Sequence, residues 1–372
     1  MPQIEYLEQH TVYDNPNPHV HSRHGYFPGM ARLASGELIC MHTIAEAFEA
    51  PNATTWISRS GDEGRTWQLQ GVVYDKAAVG FETSDYLKAT VLRDGSLIAI
   101  GYRYHRRDPE SPIAIPETGG LLPGDDLVSF SRDNGRAWSV PDVLKTSYPE
   151  LLELSGPVLE LSSGDLVAVG TPLPMPDGST PSGHVGALLR SQDAGRTWND
   201  QVRYFEMRGK SVTPFEARVC EMQSGRLAVI VWAYDNTRNE HMPNHVAVSH
   251  DGGWTWLAPI DTGHMGQASH LAWIGGDLLL TIHAHRGDQA GIYVRLVDFS
   301  RDEWKVRAET VIYGAGAPSQ THGGQQMAAM FKSLRFGQPS LVALQDGEFL
   351  AAHWCIEDGQ GKIQAHRLRV RL

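Results

Sequence analysis

The chain has 372 residues and a formal net charge of −11. An acidic chain is poorly suited to binding nucleic acids or anionic membranes, and no apolar run in it is long enough to span a membrane. Its three cysteines lie in apolar segments, which predicts buried thiols rather than disulfides, and no signal sequence is recognisable. We therefore expect a single cytoplasmic domain covering residues 1–372.

Six times along the chain, two apolar segments flank a short turn that contains glycine. The six turn glycines, here called the hairpin glycines, are Gly36, Gly95, Gly164, Gly225, Gly276 and Gly347. Asp-Gly and Ser-Gly pairs between apolar segments are strong signals of β-hairpins. Six hairpins at this spacing predict six small β-sheets of similar construction.

A second repeat follows most of the hairpins. It reads SRSGDEGRTW at residues 58–67, SRDNGRAW at 131–138, SQDAGRTW at 191–198 and SHDGGWTW at 249–256, with a degenerate copy, SRDEW, at 300–304. Its aspartate can accept hydrogen bonds from turn amides, and the glycine two residues later can supply a positive φ. We expect these aspartates to stabilise turns, and the 51- to 71-residue spacing between them is typical of an array of sheets.

This octapeptide is the Asp-box, and the chain resembles the sialidase (neuraminidase) superfamily over nearly its whole length. The resemblance implies an all-β fold, a six-bladed β-propeller whose blades are four-stranded antiparallel sheets. The last blade lacks an Asp-box and ends in the strand KIQAHRLRVRL. We expect a strand near residues 4–13 to complete that blade and close the ring.

The sialidase substrate-binding residues are only partly matched. Tyr26 stands where the family has the first arginine that holds the substrate carboxylate, Val231 stands where it has the second, and Gln338 falls at the nucleophilic tyrosine. Glu216 aligns with the glutamate that assists this nucleophile, and Arg286 is a candidate for the third arginine. Neutral residues cannot replace arginines around a carboxylate. The resemblance therefore implies a sialidase-like fold with a different substrate.

The innermost strand of each propeller blade begins beside the central channel, so residues nine or ten positions before each hairpin glycine should face a common pocket. Two of them, Glu216 and Asp85, are predicted to be the catalytic carboxylate pair of a glycoside hydrolase, although Glu46, Glu49 or Glu82 on adjacent loops could supply the acid instead. Aromatic rings, amides and imidazoles suit a sugar, which has apolar faces and many hydroxyl groups. The other predicted substrate contacts are Tyr26, His42, Tyr86, Arg103, His105, Arg218, Trp232, Tyr234, Gln267, His270, His283, His285, Arg286, Gln338 and His353.

Two alternatives remain open on the sequence. Propeller polysaccharide lyases use histidine and tyrosine to remove a proton beside a uronate carboxylate, and Arg103 could neutralise such a group. A non-catalytic carbohydrate-binding propeller is the other alternative. We expect a small-molecule carbohydrate as ligand and no cofactor; a divalent metal is not excluded, because His283 and His285 could share one strand face.

Overall fold

The computed structural model describes residues 2–223, 225–321 and 331–372, and these form six antiparallel sheets. The innermost strands of neighbouring sheets contact one another around a ring, which confirms the predicted six-bladed β-propeller. Two short 3₁₀ helices, Lys76–Val79 and Ser300–Asp302, are the only helices in the described ranges. None of the described helices is long and apolar enough to cross a membrane.

The chain begins with β1 (Gln3–Tyr13) and then builds the first three blades in order. Blade one comprises β2 (His24–Arg32), β3 (Leu38–Ala45), β4 (Thr54–Ser60) and β5 (Gln68–Val72). Blade two comprises β6 (Thr83–Val91), β7 (Leu97–His105), β8 (Gly124–Ser131) and β9 (Asp142–Val143). Blade three comprises β10 (Leu159–Glu160), β11 (Leu166–Gly170), β12 (Gly186–Ser191) and β13 (Asn199–Phe205).

The remaining blades follow the same plan with one addition. Blade four comprises β14 (Val212–Gln223), β15 (Arg226–Asp235), β16 (Glu240–His241), β17 (His245–Ser249) and β18 (Ile260–Asp261), and the short β16 is an extra strand paired with β15. Blade five comprises β19 (Ala268–Gly275), β20 (Leu278–His285), β21 (Ala290–Asp298) and β22 (Lys305–Ala317). Blade six comprises β23 (Phe336–Ala343), β24 (Glu348–Glu357) and β25 (Gln360–Arg371), and β1 is its fourth strand.

The ring is closed by the pairing of β1 with β25, as the sequence predicted. The two strands are antiparallel, with Gln3 opposite Arg371 and Tyr13 opposite Ile363. Arg367 on β25 also bonds to Glu63 of blade one at 2.8 Å and to Glu348 on β24. The first and last strands of the chain therefore share one sheet, and an ion-pair network joins that sheet to the next blade.

The repeated octapeptides form tight turns of one geometry. In the third copy, Asp193 accepts hydrogen bonds from the backbone N–H of Thr197 at 2.9 Å and from that of Arg196 at 3.1 Å. Gly195 has a φ of 86°, and the indole N–H of Trp198 donates to its carbonyl at 3.0 Å. Hydrogen bonding, chiefly from the Thr197 hydroxyl, lowers the pKa of Asp193 to about 2. This aspartate stabilises a turn, as predicted.

Candidate active site

Three innermost strands share a backbone irregularity at the same position. Phe27, Glu216 and Gln338 each lie nine residues before a hairpin glycine and have φ values of 55°, 48° and 38°. Each lies in a bulge that interrupts pairing with the second strand of its blade. Non-glycine residues seldom adopt positive φ, and such strain is concentrated at functional sites. The three bulges therefore indicate where a functional site is to be sought.

A cavity of about 290 Å³ lies at these bulges. Glu216, Glu153, Glu49 and Gln338 provide polar groups in its wall, which is otherwise rich in aromatic rings. The aromatic residues that line it are Phe27, Phe48, Tyr86, Tyr102, Tyr104, Phe215, Trp232, Tyr234 and Phe331. A smaller space of about 40 Å³ shares Glu216 and Trp232 with it and adds Gln267 and Arg286. Aromatic side chains beside a few polar groups are suited to binding a sugar, because they can pack against its apolar faces while the polar groups bond to its hydroxyl groups.

The carboxyl groups of Glu216 and Glu153 both line this cavity. The backbone N–H of Glu216 donates to Oε2 of Glu153 at 3.0 Å, and Nε2 of Gln338 donates to Oε1 of Glu216 at 3.3 Å. Oε2 of Glu216 and Oε1 of Gln338 are buried and have no hydrogen-bond partner among the described residues. Buried polar atoms without partners are costly in a folded protein, so these two atoms are suited to binding a ligand.

The two carboxyl groups have different electrostatic surroundings. Burial raises the pKa of Glu153, and the neighbouring charge of Glu216 raises it further. Burial also raises the pKa of Glu216, but Arg286 and Arg218 oppose that shift. Arg218 and the hydrogen bond from the Glu216 backbone also oppose the shift at Glu153, whose pKa is nevertheless raised to about 8, so Glu153 is the better candidate for a proton donor. Pairs of carboxyl groups separated in this way can serve as an acid and a base.

The cations around Glu216 are themselves buried and held in place. Arg286 is 3% exposed; its Nε donates to the carbonyl of Phe336 at 2.9 Å, and its backbone N–H donates to Oε1 of Gln267 at 2.7 Å. Arg218 donates to the carbonyl of Ala217 at 2.8 Å and does not line either cavity. Lys88 donates to the carbonyl of Phe27, and burial lowers its pKa to about 7. These cations favour the ionised form of Glu216.

The predicted partner of Glu216, Asp85, lies outside the cavity lining. It is fully buried, accepts a hydrogen bond from the backbone N–H of Thr55 at 3.2 Å, and lies 3.1 Å from Nζ of Lys76. Side chains alternate along a strand, so while Tyr86 lines the cavity its neighbour Asp85 points to the other face of β6. The structure therefore does not bring Asp85 and Glu216 together as a pair.

The predicted site residues fall into two groups. Glu216, Tyr86, Trp232, Tyr234, Gln267, Arg286 and Gln338 line the two cavities. The residues that line neither cavity are Asp85, Tyr26, His42, Arg103, His105, Arg218, His270, His283, His285 and His353.

Several of the predicted histidines that line neither cavity have hydrogen-bond partners inside the blades or at their edges. His42 bonds to Ser58 at 2.9 Å, His283 to Asn244 at 3.0 Å, and His353 to His366 at 2.9 Å, and all three are fully buried. Nε2 of His285 contacts the carbonyl of Asp288 at 2.5 Å. No cluster of three or more potential metal ligands occurs within the described residues.

The other residues outside the cavity are held by neighbouring side chains. Arg103 and His105 both bond to Asp125, at 2.8 and 2.9 Å. Tyr26 packs edge-on against Phe48 and Trp354, with ring centroids 5.4 Å from each. His270 is half-buried, and burial lowers its pKa to about 3. Arg103, His105 and Tyr26 are therefore engaged in the framework around the site, whereas the buried Nδ1 of His270 has no hydrogen-bond partner among the described residues.

Glu153 is the main functional candidate that the sequence analysis missed. Blade three has the shortest innermost strand, the two residues of β10, and Glu153 lies in the segment before it. That segment pairs with the blade only at Leu152, which forms an isolated β-bridge with Pro172. Glu153 lies eleven residues before Gly164 rather than nine or ten, so the offset rule passes over it. Its only sequence signal is an acidic residue between apolar neighbours, in PELLELSG.

A polar group on blades three and four was also missed. His184 bonds to Oγ1 of Thr213 at 2.8 Å, and Asn236 donates to the same hydroxyl at 2.8 Å. All three residues line the larger cavity. They come from loops or from strand positions outside the predicted ring, where no repeat marks them.

The fold was compared with known proteins. No family model matches the sequence, and no curated protein is significantly similar to it. A protein of unknown function from Dyadobacter fermentans has a TM-score of 0.76 at 21% identity, with 100% of both chains covered. The Hadza microbial sialidase Hz136 has a TM-score of 0.69 at 17% identity, covering 96% of this chain and 68% of the sialidase.

A third neighbour carries a different activity on the same architecture. The Penicillium chrysogenum α-L-arabinanase complexed with arabinobiose has a TM-score of 0.64 at 15% identity, covering 98% of each chain. At these identities the likeness concerns the fold alone. The protein has the sialidase-like six-bladed propeller fold, which in its solved neighbours accompanies both a sialidase and an arabinanase.

Proposed function

We propose that the protein is a glycoside hydrolase that acts on a sugar other than sialic acid, with Glu153 as general acid and Glu216 as nucleophile or general base. The observation that supports this most strongly is that both carboxyl groups line one aromatic-lined cavity, where the backbone N–H of Glu216 donates a 3.0 Å hydrogen bond to the Glu153 carboxyl group. Two carboxyl groups in different protonation states are the usual requirement for glycoside hydrolysis.

In the proposed reaction, protonated Glu153 gives its proton to the glycosidic oxygen as the bond from that oxygen to the anomeric carbon breaks. Glu216, ionised beside Arg286, either attacks the anomeric carbon or activates a water molecule that does so. Water supplies the hydroxyl group of the released sugar and restores the proton of Glu153. The buried cations support this reaction because they keep Glu216 charged in a cavity that disfavours charge.

A neutral sugar is the proposed substrate class. Arg286 is the single arginine among the described residues lining the two cavities, and its Nε is already bonded to the Phe336 carbonyl. A substrate carboxylate would also lie near Glu216 and be repelled by it. The arabinanase likeness makes α-L-arabinofuranosides a sensible first choice among neutral substrates.

The lyase alternative has less support. It requires a histidine or tyrosine base beside the substrate, yet most of the histidines considered for that role lie outside the cavity. Burial raises the pKa of Tyr102 and of Tyr104 well above the ordinary value, which makes these tyrosines poor bases. The experiment described next distinguishes a non-catalytic sugar-binding role from glycoside hydrolysis.

The test is a screen of neutral aryl glycosides, including an aryl α-L-arabinofuranoside, with the wild type and Glu216→Gln. We expect one sugar to be cleaved, and we expect the variant to lose roughly 10²- to 10⁴-fold in kcat while keeping its affinity for that glycoside. Asp85→Asn serves as the matched control for removal of a buried carboxyl group outside the cavity. Unchanged turnover in Glu216→Gln would refute the mechanism, and binding without any cleavage by the wild type would favour the non-catalytic role.

A further inference from the structure

One side of the larger cavity is formed mainly by apolar side chains, and the nearby carboxyl group of Glu49 is already bonded to the backbone of Ile113 and Ala114. This side is formed by two long loops, one between β7 and β8 and one between β11 and β12. We call this side the apolar wall and define it by Ile113, Ala114, Ile115, Leu121 and Leu173, together with Pro116, Pro172 and Pro174. Its two loops are joined where Oγ1 of Thr118 donates to the carbonyl of Pro176 at 2.7 Å.

The backbone of the apolar wall has no N–H group to offer a ligand. Ile113 donates to Glu49 at 3.0 Å, Ile115 to the Gly120 carbonyl at 2.8 Å, and Leu173 to the Leu151 carbonyl at 2.9 Å. The N–H of Ala114 also bonds to the Glu49 carboxylate, and that of Leu121 donates to Pro174 at 3.4 Å. The three prolines have no N–H.

This pattern disfavours a second sugar on the apolar wall. Each sugar unit carries several hydroxyl groups, and a hydroxyl group that leaves water without finding a partner costs binding free energy. An apolar group loses nothing in the same place and gains from leaving water. The apolar wall is therefore suited to an apolar part of the substrate.

The position of Glu153 relates the apolar wall to the scissile bond. Its backbone N–H donates to the Thr171 carbonyl at 2.8 Å, directly before Pro172, and the preceding Leu152 is bridged to Pro172. The proposed proton donor thus belongs to the same local structure as the apolar wall. Gln267 and Arg286, in contrast, come from blade five and lie in the smaller space. The proton donor faces the leaving group, so the leaving group lies on the side of the apolar wall.

We propose that the substrate is a glycoside of an apolar alcohol or phenol, whose aglycone packs on the apolar wall while the sugar lies between Trp232, Gln267 and Gln338. This inference rests on the proposed hydrolase function, because the assignment of the leaving group depends on Glu153 as the acid. It names the class of substrate: a small glycoside with an aromatic or alicyclic aglycone rather than an oligosaccharide.

The test uses 2-naphthol as a probe for the aglycone alone, so that it does not depend on the identity of the sugar. We expect saturable binding to the wild type by titration calorimetry, and binding at least tenfold weaker to Leu121→Asn. Leu121 is half-buried, so the polar variant should fold, and its melting temperature checks this. Leu121→Met, which keeps the apolar surface, should bind as the wild type does. Glu216→Gln should also retain naphthol binding.

The second arm compares the KM values of the phenyl and 2-naphthyl glycosides of the sugar that the screen identifies. A lower KM for the naphthyl compound in the wild type, and loss of that difference in Leu121→Asn, would support the inference. Absence of naphthol binding by the wild type, or equal binding by a folded Leu121→Asn, would overturn it while leaving hydrolysis intact. Naphthol binding as expected, with no glycoside cleaved, would instead refute the hydrolase and retain the apolar binding surface.

Discussion

The backbone N–H of Glu216 donates a 3.0 Å hydrogen bond to the carboxyl group of Glu153, so the residue carrying one acid fixes the position of the other. This contact joins blade three to blade four at the bulge where Glu216 has a positive φ. The strained backbone and the paired acids are thus parts of one local structure, and the chemistry of the site should respond to changes in either.

We expect Glu153→Gln to remove the alkaline limb of the pH profile of kcat/KM. Because the pKa of Glu153 is raised, the acid form that donates the proton is lost as the pH rises through that value. Glutamine has no such proton to lose. A dinitrophenyl glycoside needs no proton on its leaving group, and the variant should cleave it at nearly the wild-type rate. An alkaline limb that persists unchanged in Glu153→Gln would exclude Glu153 as the acid.

Arg286→Met should move the acidic limb of the same profile to higher pH. Arg286 favours the charged form of Glu216, and loss of this cation leaves burial free to raise the pKa of that carboxyl group further. Glu216 would then become protonated, and inactive, at a higher pH than in the wild type. Arg103→Met removes another buried arginine, one bonded to Asp125 outside the cavity, and should leave the limb in place. An identical shift in both variants would contradict this role of Arg286.

Gly337→Ala should disturb the site through Arg286. A Cβ atom at Gly337 would lie 1.7 Å from Nη2 of Arg286, so the guanidinium group would have to move. Overpacking of this kind typically costs about 1–3 kcal/mol. We expect a lower melting temperature together with loss of activity. Gly61→Ala is the matched control, because a Cβ there meets nothing within 4 Å and its φ is not positive.

The turn aspartates should make the fold sensitive to acid. Hydrogen bonding lowers the pKa of Asp193 to about 2, so its contribution to stability is present above its unfolded pKa and is lost as the pH falls through the folded value. Asp193→Asn should lower the melting temperature at pH 5, and the difference from the wild type should shrink at pH 2.5. Activity at neutral pH should be unchanged. A difference that stays constant with pH would show that the charge is not involved.

No cleavage of an aryl sialoside is expected from the wild type. Tyr26 and Val231 stand where the resemblance places two arginines, and Tyr26 packs among aromatic rings instead of lining the cavity. A fluorogenic sialoside, assayed beside the neutral glycoside found in the screen, provides the measurement. Clear hydrolysis of the sialoside would refute the neutral-substrate assignment.

The fold could be predicted almost completely because each blade repeats the same hairpin and turn motifs in the sequence. The hairpin glycines and the octapeptide turns require particular backbone geometries, so they mark strand boundaries without knowledge of tertiary contacts. The offset of nine residues also located Tyr86, Glu216, Gln267 and Gln338 in the two cavities. Positions defined by the repeat were therefore predictable.

The predicted histidines lie outside the two cavities for a physical reason. His42, His283 and His353 lie on second strands, which are covered on both faces, and side chains there bond within the protein. Sequence alone does not distinguish a buried histidine with a partner from one that faces a cavity. Glu153 was missed for the converse reason, since it lies where the repeat of blade three is irregular.

The pairing of β1 with β25 is the step that completes blade six and closes the ring of blades. Gln3 pairs with Arg371, so ring closure joins two strands that lie more than 300 residues apart in the sequence. Contacts so far apart in sequence are slow to form, and β1 remains an unpaired strand until β25 is available. The cavity between the blades would take its final shape only after that pairing, so closure of the ring would come before activity.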